Sequence, residues 1–249
     1  MELIKKAAQV GELTVTDEEL ALINKHTIKA LSADEVFVFK VALCDNEIDR
    51  DFEIFPRESL IKFAELFDGK TMISDHQWKT GNQCARIYKT EVVDGAGTTK
   101  DSEIYCQLVA HCYMLKNDSN ANLIADINAG IKKEVSVGFR IGKAICSICG
   151  VDNRKAYCEH WNGREYEGKL CYFRLKEPKD AYEVSFVAVP AQPKAGIVKA
   201  YGKDEMKESD VKNEFEEKAN FNKVSMDLKI LDAFIFIENQ KSKEIEKHE

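Results

Sequence analysis

The stretch "KEVSVGFR" at residues 133–140 places Ser136 between Val135 and Val137 in a run with strand alternation. A serine hydroxyl is a poor nucleophile near neutral pH and needs a base within hydrogen-bond reach, itself held by a partner. The chain has five histidines. His26 reads as the exposed side of a first helix, His248 as part of the tail, and His111 as a mid-strand imidazole. His160 belongs with a group of cysteines. His76, in "SDHQW", follows a short apolar run and precedes a loop, a good place for a base that faces a cleft. Spacing alone does not make Ser136 and His76 a pair. Ser136 could bond a neighbouring backbone group, and His76 could cap a turn.

A second constellation lies in "CSICGVDNRKAYCEH". Cys146, Cys149, Cys158 and His160 form a C-x2-C-x8-C-x-H pattern, with Gly150 allowing a tight turn after the first pair. Two thiolates from the knuckle and a second pair complete a tetrahedral set, and four such ligands with no open position suggest structural zinc. Cys171 is an alternative to His160. The competing reading is reduced thiols beside a surface histidine. Cys44, Cys84, Cys106 and Cys112 fall on strand patterns and read as small buried apolar residues.

These residues need a scaffold. "TDEELALINKHTIKAL" predicts a helix, with a Thr16/Glu19 capping box and Leu20, Ile23, Ile28 and Leu31 on one face. "EVFVFKVAL" predicts a strand buried on both faces. "PRESLIKFAELF" predicts a helix with Pro56 near its first turn and Leu60, Phe63 and Phe67 inward, ended by Asp68-Gly69. "TMISDHQ", "CARIYKTEVV" and "EIYCQLVAHCYM" predict strand segments, with "DGAGTTKDS" as a loop. Ile104, Cys106, Leu108, Ala110 and Cys112 share one strand face. "NANLIADINAG" predicts a short helix stopped by Gly130. "KLCYFRL" and "AYEVSFVAVP" predict two further strands. The pattern predicts an α+β fold: a closed or nearly closed sheet flanked by helices. "EVSVGF" and "EVSFVA" echo one another but are too short to count as a repeat.

The chain has 249 residues, 44% of them hydrophobic and 32% charged, enough for a sizeable core. A formal net charge of -7 argues against a broad nucleic-acid footprint. No apolar run approaches the ~20 residues of a membrane span. The N-terminus lacks the pattern of a signal peptide, so the eight cysteines read as thiols or ligands rather than disulfides. The expected organisation is an N-terminal helical extension (1–34), a main domain (35–200) with a zinc-knuckle insertion (143–171), and a charged helical tail (201–249).

Three features together resemble the prohead maturation proteases of tailed bacteriophages. They are "DNEIDRDFEIF" before a helix and a "GK…DH" segment, the Ser-Val-Gly-Phe strand, and a later Glu-Val-Ser strand ending in "PAQP". They cover about residues 35 to 197, in family order. The resemblance implies a serine protease barrel similar to the herpesvirus assemblins, with Ser136 as nucleophile and His76 as general base. Assemblins use a second histidine on a later strand. No free histidine stands there in this chain, so Glu183 in "YEVSF" is the expected third member, ahead of Asp75 and Asp49. A strand-edge carboxylate in water is the plain alternative for Glu183. The implied function is a serine endopeptidase that cuts scaffold and major capsid protein, and itself, inside a procapsid in the host cytoplasm. Homodimerisation would follow from the assemblin likeness; no nucleic-acid or membrane partner is implied. The tail after residue 200 would then bind a partner and be removed by self-processing. The competing function is a non-catalytic capsid-assembly or scaffold-binding protein with the same barrel. A nucleic-acid-binding zinc module is disfavoured by the charge.

Overall fold

The structure, a computed structural model, describes residues 15–198; the tail at 201–249 lies outside the described residues. Helix α1 (Asp17–Asn24) starts at the Thr16/Glu19 capping box. It is shorter than its apolar spacing predicts. Asn24 takes the Leu31 amide on its Oδ1 (2.8 Å) and donates to the Leu31 carbonyl (3.1 Å), so its side chain clamps a loop where the helix would have continued. Ile28, expected on the apolar face, is fully exposed.

Strand β1 (Val36–Asp45) is buried almost throughout because both of its faces are covered. Val36 and Val38 meet Ile23 of α1 on one side. Phe39, Val41 and Leu43 enter the main core on the other. Strand β2 (Glu53–Ile54) leads into α2 (Arg57–Phe67), with Pro56 at the N-cap position. Leu60, Phe63 and Phe67 are buried, and each contributes on the order of 1.5–3 kcal/mol by leaving water. Asp68 and then Gly69, at φ 72°, end the helix. Strand β3 (Thr71–Ser74) follows, then β4 (Ala85–Thr98) and β5 (Ile104–Leu115) as one long hairpin. The expected "DGAGTTKDS" loop is shorter than predicted. A register shift between Asp94 and Thr98 lets β4 continue through most of it. On β5, Cys106, Leu108, Ala110, Cys112 and Met114 all face the main core. Ile104, at the strand's end, is exposed.

Helix α3 (Ala121–Asn128) precedes β6 (Val135–Cys146), the strand of Ser136. The small hairpin β7 (Glu165–Tyr166) and β8 (Lys169–Leu170) lies in the cysteine-rich segment. Strand β9 (Phe173–Phe186) joins the end of the strand predicted at "KLCYFRL", whose Lys169–Leu170 form β8 instead, to the first part of that predicted at "AYEVSFVAVP". It tolerates Pro178 because its ladder with β6 shifts register there, with Glu177 at φ 55°. Strand β10 (Gly196–Val198) is the last among the described residues.

The fold is mixed α+β with one large sheet and few helices. Strand order is β10-β1-β5-β4-β3-β9-β2, with β6 also on β9. The expected barrel does not close among the described residues. The sheet is open because β6 gives its whole length to β9 and β10 is only three residues long. A single isolated bridge, Glu134 to Gly196, spans the gap between them. Pairing is antiparallel except where β2 and β3 run parallel to β9. Strand β9 therefore has β3 on one edge and β6 on the other, which brings the segments of His76, Glu183 and Ser136 together.

Candidate active site and metal centre

Thr71 to Ser74 of β3 pair in parallel with Glu183 to Phe186 of β9. The ladder stops at Asp75, whose amide reaches the Phe186 carbonyl at 2.9 Å. Asp75 and His76 then both adopt left-handed backbone, at φ 54° and 52°. Such conformations cost a non-glycine residue on the order of 1 kcal/mol or more and persist only where the surroundings impose them. Here the His76 amide donates to Ser185 Oγ at 2.8 Å, and the imidazole Nδ1 lies 2.8 Å from Glu183 Oε1. The imidazole is 43% exposed, while the Glu183 side chain is only 4% exposed.

That contact assigns the proton to Nδ1, which donates to the carboxylate and leaves Nε2 as the unprotonated nitrogen. Glu183 Oε2 is buried and has no hydrogen-bond partner among the described residues.

Ser136 stands opposite Ser185, and Gly138 opposite Glu183, in the antiparallel β6–β9 ladder. Opposed residues project to the same face, as do residues two apart. Ser136, Gly138, Glu183 and Ser185 thus share one face, and His76 is held on that face by two of them. A Cβ at Gly138 would stand 2.4 Å from Glu183 Oε1, so the carboxylate uses space that a glycine leaves open. Ser136 is half-buried. No side-chain hydrogen bond joins it to His76 among the described residues. Ser185, on the same face, is fully buried. Of the two serines, only Ser136 offers its hydroxyl to a ligand from outside.

The other candidates sit elsewhere. Asp49 is buried and accepts from the amides of Asp51 and Glu53, and from Gln192 Nε2. Asp75 is exposed. His111 is buried and paired through Nε2 with Glu91 at 2.8 Å. Ser185 and Gly138 were not singled out by sequence reasoning. Their signal was the echo between "EVSVGF" and "EVSFVA", segments that prove to be paired strands. Trp78, two residues past His76, and Tyr182, beside Glu183, are exposed aromatics 5.3 Å apart.

The knuckle grows from the end of β6. The Ile148 amide points at Cys146 Sγ (3.4 Å), the Gly150 amide returns to the Cys146 carbonyl (3.0 Å), and Gly150 takes φ 73°. The donor atoms of Cys146, Cys149, Cys158 and His160 all lie within 4.8 Å of one another. Cys149 and Cys158 sulfurs are 3.5 Å apart, and Cys158 Sγ is 3.6 Å from His160 Nδ1. Tetrahedral ligands at ~2.3 Å from an ion are separated by about 3.8 Å, so the cluster can hold a metal ion. Cys171 Sγ is 3.9 Å from Cys146 Sγ and borders the set. Cys44, Cys106 and Cys112 are buried in the core. Burial pushes the Cys84 thiol up to about 11, which keeps it protonated at neutral pH.

Comparison with protein-family models, curated proteins and solved structures finds no match to this chain. No helix among the described residues is long and apolar enough to cross a membrane.

Proposed function

We propose that this chain is a serine endopeptidase of the prohead-maturation type, with Ser136 as nucleophile, His76 as general base and Glu183 as the acid that orients it. One observation carries the reading. An exposed imidazole is bonded through Nδ1 to a buried carboxylate, on the strand face that also presents a half-buried serine.

His76 Nε2 takes the Ser136 proton as Oγ attacks a peptide carbonyl carbon. The resulting tetrahedral intermediate collapses as the same proton passes to the leaving amine. Water, deprotonated by His76, then attacks the acyl-enzyme, and the proton returns to Ser136 Oγ as the carboxylic acid product leaves. The Glu183 carboxylate, bonded to Nδ1, orients the ring and stabilises the imidazolium of both steps. Trp78 and Tyr182 offer an apolar surface for a substrate side chain near the scissile bond. The substrates under this reading are scaffold and major capsid protein, cut inside a procapsid.

The knuckle's four ligands suit structural zinc: three thiolates and an imidazole, with no position left for substrate. The ion would tie the end of β6 to the chain that enters β9, and so brace the two strands that carry Ser136 and Glu183.

The test is labelling by a fluorophosphonate probe, in which the serine oxygen displaces fluoride at phosphorus and His76 takes the proton. Wild type should label, and Ser136→Ala and His76→Ala should not. A folded wild-type protein that stays unlabelled would favour the non-catalytic capsid-assembly reading, to which the unbonded Ser136 hydroxyl already lends support. Labelling that survives Ser136→Ala would place the nucleophile elsewhere.

A further inference from the structure

Ser185 is a hydroxyl in the interior of the sheet, fully buried and flanked by Val184 and Phe186 in the core. Its hydroxyl accepts a hydrogen bond from the His76 amide, at 2.8 Å. The neighbouring amides of the turn are satisfied by backbone: Asp75 by the Phe186 carbonyl and Gln77 by the Ser74 carbonyl. His76 is thus the residue of this turn whose amide is held by a side chain. It is also one of two successive non-glycine residues at positive φ. Ser185 lies two residues from Glu183 on the same strand face, opposite Ser136 on β6 and Ile73 on β3.

We propose that Ser185 is a positioning residue for the base. Its hydroxyl pins the His76 backbone in the left-handed conformation, while Glu183, from the same strand, pins the ring. The base is thereby fixed at two points to β9, and β9 is in ladder register with the nucleophile strand. Without the hydroxyl, the His76 backbone relaxes towards ordinary φ and the ring turns away from Glu183. This assignment rests on the protease reading above.

The experiment uses the full chain and a tagged fluorophosphonate at saturating concentrations, giving kinact and KI separately. Ser185→Ala should lower kinact by about 10–100-fold, the order expected when a reacting group is misplaced by ~1 Å. KI and the melting temperature should stay near wild type. Ser185→Thr, which keeps the hydroxyl, should restore kinact. Hydrogen exchange at the His76 amide should quicken in Ser185→Ala and not in Ser185→Thr. Wild-type kinact in a folded Ser185→Ala protein overturns the proposal. So does equal slowing in Ala and Thr, which would mark a packing role. Should Ser185→Ala fail to fold, Ser185→Cys, a near-isostere with a weaker acceptor, takes its place: slow labelling supports the tether and wild-type labelling refutes it. A Ser136→Ala control that labels like wild type would instead bring down the protease reading itself.

Discussion

Substituting Gly138 by alanine tests the architecture of the site without touching any reacting group. The new Cβ would lie 2.4 Å from Glu183 Oε1, 3.1 Å from its Cδ and 3.5 Å from its Cγ, whereas ordinary contact begins at 3.4 Å. The carboxylate, the movable end of a side chain, must therefore retreat by about 1 Å (3.4 − 2.4), since paired residues of β6 and β9 stand on both sides of Gly138, with a register shift between Gly138 and Phe139. Oε1 is the atom that holds His76, so the retreat stretches or breaks that 2.8 Å bond. Overpacking of this kind costs about 1–3 kcal/mol, offset by roughly 0.5–1 kcal/mol because alanine has less backbone freedom to lose than glycine. The net destabilisation expected is about 0–2.5 kcal/mol. The loss of activity should be larger, about 100-fold in the labelling rate, because a displacement of ~1 Å at an orienting group has that effect. Urea unfolding and fluorophosphonate labelling measure the two quantities. A double-mutant cycle separates them: with Glu183→Ala already present, the alanine at 138 has nothing to strike and its stability cost should vanish. Unchanged labelling in Gly138→Ala, or an equal cost in the Glu183→Ala background, would refute the reasoning.

Under the proposed protease reading, in which the carboxylate acts on an imidazolium formed in the transition state, Glu183→Gln should lower turnover by about 10³–10⁴-fold with little change in KM; steady-state kinetics on a peptide substrate checks this. Elemental analysis of chelator-free protein should find one zinc per chain. Cys149→Ser should lose that zinc and melt at lower temperature, and a zinc-free wild type of equal stability would return the cluster to plain thiols. Burial, with the Asp49 and Asp51 charges beside it, raises Glu53 to about 7 from its ordinary 4.5. Between these values the unfolded chain is ionised where the folded chain holds its proton, so this group's contribution to stability is present below about 4.5 and is lost as pH rises to about 7. Glu53→Gln should flatten the melting temperature across that window and raise it at pH 8. Intact-mass measurements over time should show loss of a C-terminal fragment in wild type and not in Ser136→Ala, if the segment after residue 200 is removed by the chain's own activity.

Local pattern was enough to read much of this protein. The inward face of α2 at Leu60, Phe63 and Phe67, and the core face of β5 from Cys106 to Cys112, are set by periods of 3.6 and 2 that neighbouring residues impose on one another. The Cys146–Cys149 knuckle was legible for the same reason: a two-residue spacer and Gly150 bring two sulfurs together with no help from distant chain. Features that depend on a remote partner were not legible. The early end of α1 comes from Asn24 bonding Leu31. The continuity of β9 through Pro178 comes from a register shift in its ladder with β6, which leaves Lys179 of β9 unopposed. The open sheet comes from the shortness of β10 and from β6 pairing only with β9. The site itself divides in the same way. Ser136, His76 and Glu183 could be singled out by residue type and by resemblance, since each sits in a distinctive short stretch. That His76 is held by Glu183 rather than Asp75 or Asp49, that Gly138 clears space for the carboxylate, and that Ser185 holds the His76 amide all depend on ladder register between strands far apart in the chain. A shift of one residue in either ladder would turn those side chains to the opposite face, and nothing local to β3, β6 or β9 sets that register; the packing of the whole sheet does.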